Sequence, residues 1–136
     1  MYSIGGLSQL TTVSNETIRF YERIDLLPPP QRATNGYRQY DDTDVERLQF
    51  IRRLRSLDFT LEEIREILAF KERQEPPCQY VMNVMDNQIH EIEQRMQDLQ
   101  KLQGEIKSLY EAGKNLPEDV QMKTCVCHLI QIGGQN

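Results

Sequence analysis

The stretch SNETIRFYERIDLLPPPQRATNGYRQY, residues 14–40, decides how this chain folds. Ser14 is a good helix N-cap, and the helix it opens is expected from Asn15 to about Ile24, with Ile18 and Tyr21 on one face. Pro28-Pro29-Pro30 ends any helix and forces an extended path. Asn35-Gly36 is a strong hairpin pair, since both residues tolerate positive φ. Its flanks, residues 31–33 and 37–40, are expected as two short strands, a wing beside the helix. Upstream, Ser3 can cap a short helix carrying Ile4, Leu7 and Leu10, and Thr11-Thr12-Val13 makes a turn. Helix, short turn and second helix form the helix-turn-helix pattern.

Working outward, Thr43-Asp44-Val45-Glu46 reads as a capping box opening a helix through Leu57. Val45, Leu48, Ile51 and Leu54 have the spacing of a core-facing stripe. Asp58-Phe59 breaks that helix, and Thr60 with Glu63 forms a second capping box before Leu61, Ile64, Ile67 and Leu68. Pro76-Pro77 closes this part. From about Gln79 to Ala112 the pattern changes. Met82, Met85, Ile89, Ile92, Met96, Leu99, Leu102, Ile106 and Leu109 recur at steps of three and four among polar residues. That is a coiled-coil seam on a helix about 50 Å long, and it needs a partner, most simply a second copy of the chain. Gly113 and Pro117 are expected to end the helix. The segments are therefore 1–75 for the winged helix-turn-helix part, 76–113 for the dimerisation coil, and 114–136 for a loop and tail.

Composition bounds the function. Apolar residues are 38% of the 136, Trp is absent and the formal net charge is -5. No run approaches the ~18 apolar residues of a membrane helix, and the N-terminus lacks a signal-peptide layout, so a cytoplasmic protein is expected. The acidic balance is uneven. Ten of the eleven basic residues before Pro77 are Arg, and four of them (Arg19, Arg23, Arg32, Arg38) lie between Thr17 and Tyr40 with Phe20, Tyr21, Tyr37 and Tyr40. Such a local field can hold DNA inside an acidic protein, because screening shortens the reach of distant charge. Composition alone leaves a solvated face with ordinary core aromatics open.

Residues at the start of a recognition helix reach base edges, while flanking Arg and Tyr hold phosphates. The candidates for base edges are Asn15, Glu16 and Arg19, with Thr17 in the same DNA-facing set. Those for phosphate are Tyr21, Arg32, Tyr37 and Arg38. Three cysteines, Cys78, Cys125 and Cys127, cannot all pair within one chain. Cys125-Val126-Cys127 followed by His128 offers two thiols to one soft ion, such as Zn(II), Cd(II), Pb(II), Hg(II) or Cu(I). A redox pair is the other use of such a motif.

The segment from Thr17 to Arg23, then Leu26-Leu27-Pro28, Arg32 and Asn35 to Tyr40, resembles the signature of the MerR family of bacterial transcriptional regulators. Phe50 to Arg55 and Phe59 to Ile64 continue the likeness, which covers residues 1 to about 112. The resemblance implies a mainly α fold. It comprises a winged helix-turn-helix DNA-binding domain, a long antiparallel dimerisation coiled-coil helix and a short C-terminal metal-binding loop. It also implies a homodimer on promoter DNA whose spacer is over-long, with effector binding distorting the DNA so that RNA polymerase can use it. The metal-sensing branch places a Cys where Cys78 stands, contributed from the opposite subunit, and Cys127-His128-Leu129-Ile130 resembles the end of its metal loop. The branch also carries a Cys at the end of the long helix, where this chain reads Glu111-Ala112-Gly113-Lys114-Asn115. Cys125 is the expected replacement, with His128 or Asp119 as optional ligands.

The function read from the sequence is a soft-metal-responsive transcriptional regulator and not an enzyme. A divalent ion is preferred over Cu(I), because Cys78 adds a third thiolate. Two alternatives stay open, a thiol-redox regulator of the same fold and a coiled-coil interaction module without a DNA role.

Overall fold

A computed structural model describes residues 1–116 and 126–133. The chain divides into two units, Met1–Val84 and Met85–Asn136. In the first, α1 (Ile4–Thr11) and α2 (Asn15–Arg23) are joined by three residues. Ser3 caps α1 by accepting from the Gly6 amide, and Ser14 caps α2 by accepting from the Thr17 amide, as their types predict. Leu7 is buried, whereas Leu10 turns to solvent, so the core stripe of α1 is narrower than its apolar residues suggest.

The wing is β1 (Gln31–Arg32) antiparallel to β2 (Arg38–Gln39), with Arg32 opposite Arg38. Its turn differs from the expected two-residue form. The Ala33 amide donates to the Tyr37 carbonyl at 2.9 Å, the Gly36 amide donates to the Ala33 carbonyl at 2.9 Å, and within the turn only Gly36 has a positive φ. Thr34-Asn35-Gly36 is thus a three-residue loop with glycine in the left-handed position. Asn35 instead accepts from the Tyr37 amide through Oδ1. Beyond β2, Tyr40 pairs with Tyr2 through two backbone hydrogen bonds of 2.7 and 2.8 Å, which ties the chain start to the wing.

α3 (Asp42–Ser56) opens with a capping box made by Asp41 and Asp44 rather than by Thr43 and Glu46. Asp41 already has the extended backbone a cap requires, so the helix starts earlier. α4 (Leu61–Glu72) opens with the expected Thr60–Glu63 box. Helices α2, α3 and α4 all end in the same two-bond motif, with Asp25, Asp58 and Gln74 at positive φ. In the first, Leu26 N–H donates to Tyr21 C=O and Asp25 N–H donates to Glu22 C=O. None of these three positions is glycine, which is why no glycine marks the stops in the sequence.

α1 packs on α2 and α3, and α3 on α4. Leu7, Ile18, Leu26, Leu27, Leu48, Ile51, Phe59, Ile64 and Ile67 form the fully buried centre. Each aliphatic side chain there contributes about 1.5–3 kcal/mol over its exposed state. Tyr80, Val81 and Val84, in the first turns of α5 (Cys78–Lys114), belong to this core. α5 passes through Gly113 and ends at Lys114, two residues beyond Ala112. Pro117 lies outside the described residues.

In the second unit the seam is open. Met85, Ile89, Ile92, Met96, Leu99, Leu102 and Ile106 are between 36% and 64% exposed, and only Leu109 is half-buried. Residues 126–133, expected as loop, form α6 (Val126–Gly133). Gly113 makes room for it: a Cβ at that position would stand 3.1 Å from Val126 Cγ2.

Candidate functional site

α2 and the wing carry most of the residues expected to meet DNA. Ser14 Oγ accepts from the Thr17 amide at 3.1 Å and donates to Thr17 Oγ1 at 2.9 Å. This double contact stiffens the first turn of α2, where Asn15, Glu16 and Thr17 sit. Glu16 and Arg19 are exposed, while Asn15 and Thr17 are half-buried. Asn15 Oδ1 is shielded from solvent and has no hydrogen-bond partner among the described residues. Phe20 is partly exposed, with the Arg23 guanidinium 5.7 Å from its ring centroid. Tyr21 is different. It is 7% exposed and its ring belongs to the core.

On the wing, Tyr37 is the most open large side chain, at 74% exposure. Arg32 is exposed and donates from Nη1 to the Gly36 carbonyl at 2.8 Å, which fixes the turn beneath Tyr37. Arg38 points back toward α2. Its Nε lies 3.6 Å from Glu22 Oε2, and the Glu22 side chain is 11% exposed. The other carboxylate oxygen, Oε1, accepts from the Tyr40 hydroxyl. Tyr40 is fully buried, and burial, followed by the bond to Glu22, pushes its phenol well above the usual range. It therefore remains a proton donor at any physiological pH. Sequence reading gave Glu22 and Tyr40 no role. The available signal was position: Glu22 follows the buried Tyr21 on α2, and Tyr40 ends the wing.

The arginine count also needs correction as a measure of DNA contact. Arg47 Nε donates to the Leu26 carbonyl at 2.7 Å, Arg65 donates to the Ile24 carbonyl, and Arg55 donates to the Phe59 carbonyl at 2.9 Å. These three hold the carbonyls of the segments that follow α2 and α3. The same planar fork that suits phosphate suits such carbonyls.

Residues 2–71 match the family described as MerR HTH family regulatory protein, and residues 45–109 match the one described as MerR, DNA binding. The chain belongs to the MerR family. The mercuric resistance operon regulatory protein of Bacillus cereus is 36% identical over 124 residues, covering 91% of this chain and 92% of that protein. The HTH-type transcriptional regulator ZntR of Escherichia coli strain K12 is 35% identical, covering 82% of this chain and 80% of that protein. The crystal structure of the transcription regulator PbrR691 from Ralstonia metallidurans CH34 in complex with lead(II) matches with a TM-score of 0.76 at 34% identity. It covers 92% of this chain and 94% of that one.

In this MerR-family chain those expected metal ligands that lie among the described residues fall on two helices. Cys78 is an exposed free thiol at the first residue of α5. Cys127 is an exposed free thiol on α6, and His128 beside it is exposed too. Cys125 and Asp119 lie outside the described residues. Among the described residues of one chain, no three His, Cys, Asp or Glu side chains converge as a metal site. The donors are thiolates and an imidazole, the chemistry that soft ions prefer. No helix among the described residues is long and apolar enough to cross a membrane.

Proposed function

We propose that this chain is a homodimeric, soft-metal-responsive transcriptional regulator of double-stranded promoter DNA, working in the cytoplasm of a bacterium and not as an enzyme. The observation that carries the DNA part is the frame around α2. A doubly held cap fixes its first turn, and Arg19, Arg32 and Tyr37 stand exposed around it. Asn15, Glu16, Thr17 and Arg19 face base edges, and Tyr21, Arg32, Tyr37 and Arg38 take phosphates. The open seam of α5 supports the homodimer. At 37 residues, α5 rises about 55 Å, so in an antiparallel pair the start of one helix lies beside the end of the other.

That pairing gives each dimer two sites, each made of Cys78 from the opposite subunit with Cys127 and Cys125, and with His128 as an optional fourth ligand. Three thiolates suit Hg(II) or Pb(II), and with His128 they suit Zn(II) or Cd(II); Cu(I) fits less well. Ligand thiols must lose protons, so binding weakens at low pH. The bound ion biases the dimer toward a form that bends and untwists an over-long promoter spacer, at a DNA deformation cost of about 1–10 kcal/mol, and RNA polymerase then uses that promoter. The test is in vitro transcription with each metal. Cys78→Ser and Cys127→Ser should each abolish metal-induced transcription and leave DNA binding intact. Normal metal responses from both variants would refute the ligand assignment.

A further inference from the structure

Arg38 has its Nε turned inward, shielded from solvent and without a hydrogen-bond partner among the described residues; it lies 3.6 Å from Glu22 Oε2, an ion-pair distance, and the side chain keeps 36% of its exposure. The open part of the side chain therefore lies beyond Nε. Neither terminal nitrogen of Arg38 is hydrogen-bonded among the described residues. A guanidinium has five donors in a rigid fork, so an anchor at one edge dictates where the other edge points. Glu22 itself is not free to move. It sits on α2 with most of its surface covered, and Tyr40, clamped to Tyr2 by two backbone bonds, donates to it from the far side. The recognition helix and the wing thus meet at one carboxylate.

We infer that Glu22 is a positioning residue for DNA binding: its charge, 3.6 Å from Nε, holds Arg38 against α2 and leaves the two terminal nitrogens to meet a backbone phosphate. This rests on the DNA-binding reading above. An acidic side chain on a DNA-facing helix would by charge alone oppose binding. Glu22 acts with the opposite sign, because a loose arginine must be ordered at the moment of contact, whereas one held by an ion pair is already near its place. A phosphate contact carries no base information, so the effect is uniform across sequences.

The experiment uses the full-length protein and two labelled duplexes, one selected by the wild-type protein from a random library and one of mixed sequence. Affinities are measured across a salt series, with thermal unfolding alongside. Glu22→Gln keeps an oxygen to accept from Tyr40 but removes the charge that holds Arg38. It should weaken binding to both duplexes by about tenfold and lower the salt slope by about one, the loss of one phosphate contact. In an Arg38→Ala background the same change should do nothing further, since Glu22 then has nothing to position. Tyr40→Phe removes the phenol donor and leaves the charge pair, so it should lower the melting temperature without lowering the salt slope. Unchanged or tighter binding by Glu22→Gln would overturn the inference. So would an additive loss in the Arg38→Ala background, or a salt slope lowered by Tyr40→Phe. Failure of the wild-type protein to bind any duplex would instead refute the regulator reading itself.

Discussion

Replacing Ser14 by Ala tests how the fold presents α2 to DNA. Ser14 Oγ is the acceptor for the Thr17 amide at 3.1 Å and the donor to Thr17 Oγ1 at 2.9 Å. Removing it leaves one helix-end amide without its partner, a loss of about 1 kcal/mol for a cap of this type. Thr17 Oγ1 is near the surface, so water replaces the second bond at little cost. For a unit of 60–100 residues, 1 kcal/mol lowers the melting temperature by about 4–8 °C. α2 has only nine residues and a nine-residue helix does not hold its own ends, so the first turn frays. Ordering that turn again on DNA costs about the same 1 kcal/mol, a loss of about fivefold in affinity. Thermal unfolding and fluorescence anisotropy with a labelled duplex read the two effects. Ser14→Asn caps without charge and should restore both. Ser14→Asp caps as well and should restore stability but not affinity, because it adds a negative charge at the helix end proposed to approach DNA. An unchanged melting temperature in Ser14→Ala, or failure of Ser14→Asn to restore binding, would refute the reasoning.

Three further outcomes are expected. Gln74 holds a φ of 58° at the end of α4, so Gln74→Gly should stabilise the protein by about 0.5–1 kcal/mol in urea unfolding; a lower midpoint would contradict the strain. Leu99, on the open seam and 64% exposed, should when changed to Asp convert dimer to monomer in sedimentation equilibrium, and a dimer of unchanged strength would remove the seam from the interface. The His90 imidazole is held above its ordinary value, first by the Asp86 carbonyl 2.7 Å from Nδ1 and then by the Asp86 carboxylate at 3.7 Å. A raised folded value means that its stabilising contribution is complete below the ordinary histidine range, about 6.5, and is lost as pH rises through the folded value. Asp86→Asn should move the His90 midpoint down in an NMR titration while the main-chain bond keeps part of the rise; an unmoved midpoint would count against the pairing.

Much of the fold was legible because it is written in local signals. Ser3, Ser14, Thr60 and Glu63 cap the helices their positions predict, since a cap needs only its own side chain and the next turn. The ends were less legible. Asp25, Asp58 and Gln74 take left-handed backbone without being glycine, because the buried Leu26 and Phe59 that follow the first two pull the chain into the core. The box of α3 went to Asp41 for the same kind of reason: the pairing of Tyr40 with Tyr2 sets where the extended chain stops. In the candidate site, Arg19, Arg32 and Tyr37 were named by type and neighbourhood, and the fold leaves them exposed. The separate duties of Arg38, Arg47, Arg55 and Arg65 were not, because an arginine looks the same in sequence whether its partner is a phosphate, a carboxylate or a carbonyl.

By itself, then, the sequence determined helices α1 to α5, the two strands of the wing and the seam, and it supplied the soft donors Cys78, Cys125 and Cys127, all of which depend on residue type and short-range spacing. Tertiary structure decided which side chains are left free to act. It put Tyr21 into the core, turned Arg47, Arg55 and Arg65 onto carbonyls, brought Glu22 between Arg38 and Tyr40, and made α6 helical beside the space left at Gly113. The physical reason is that burial and hydrogen-bond satisfaction are settled among residues far apart in sequence. Tyr40 reaches Glu22 across 18 positions and Arg65 reaches Ile24 across 41, distances over which no periodicity carries information.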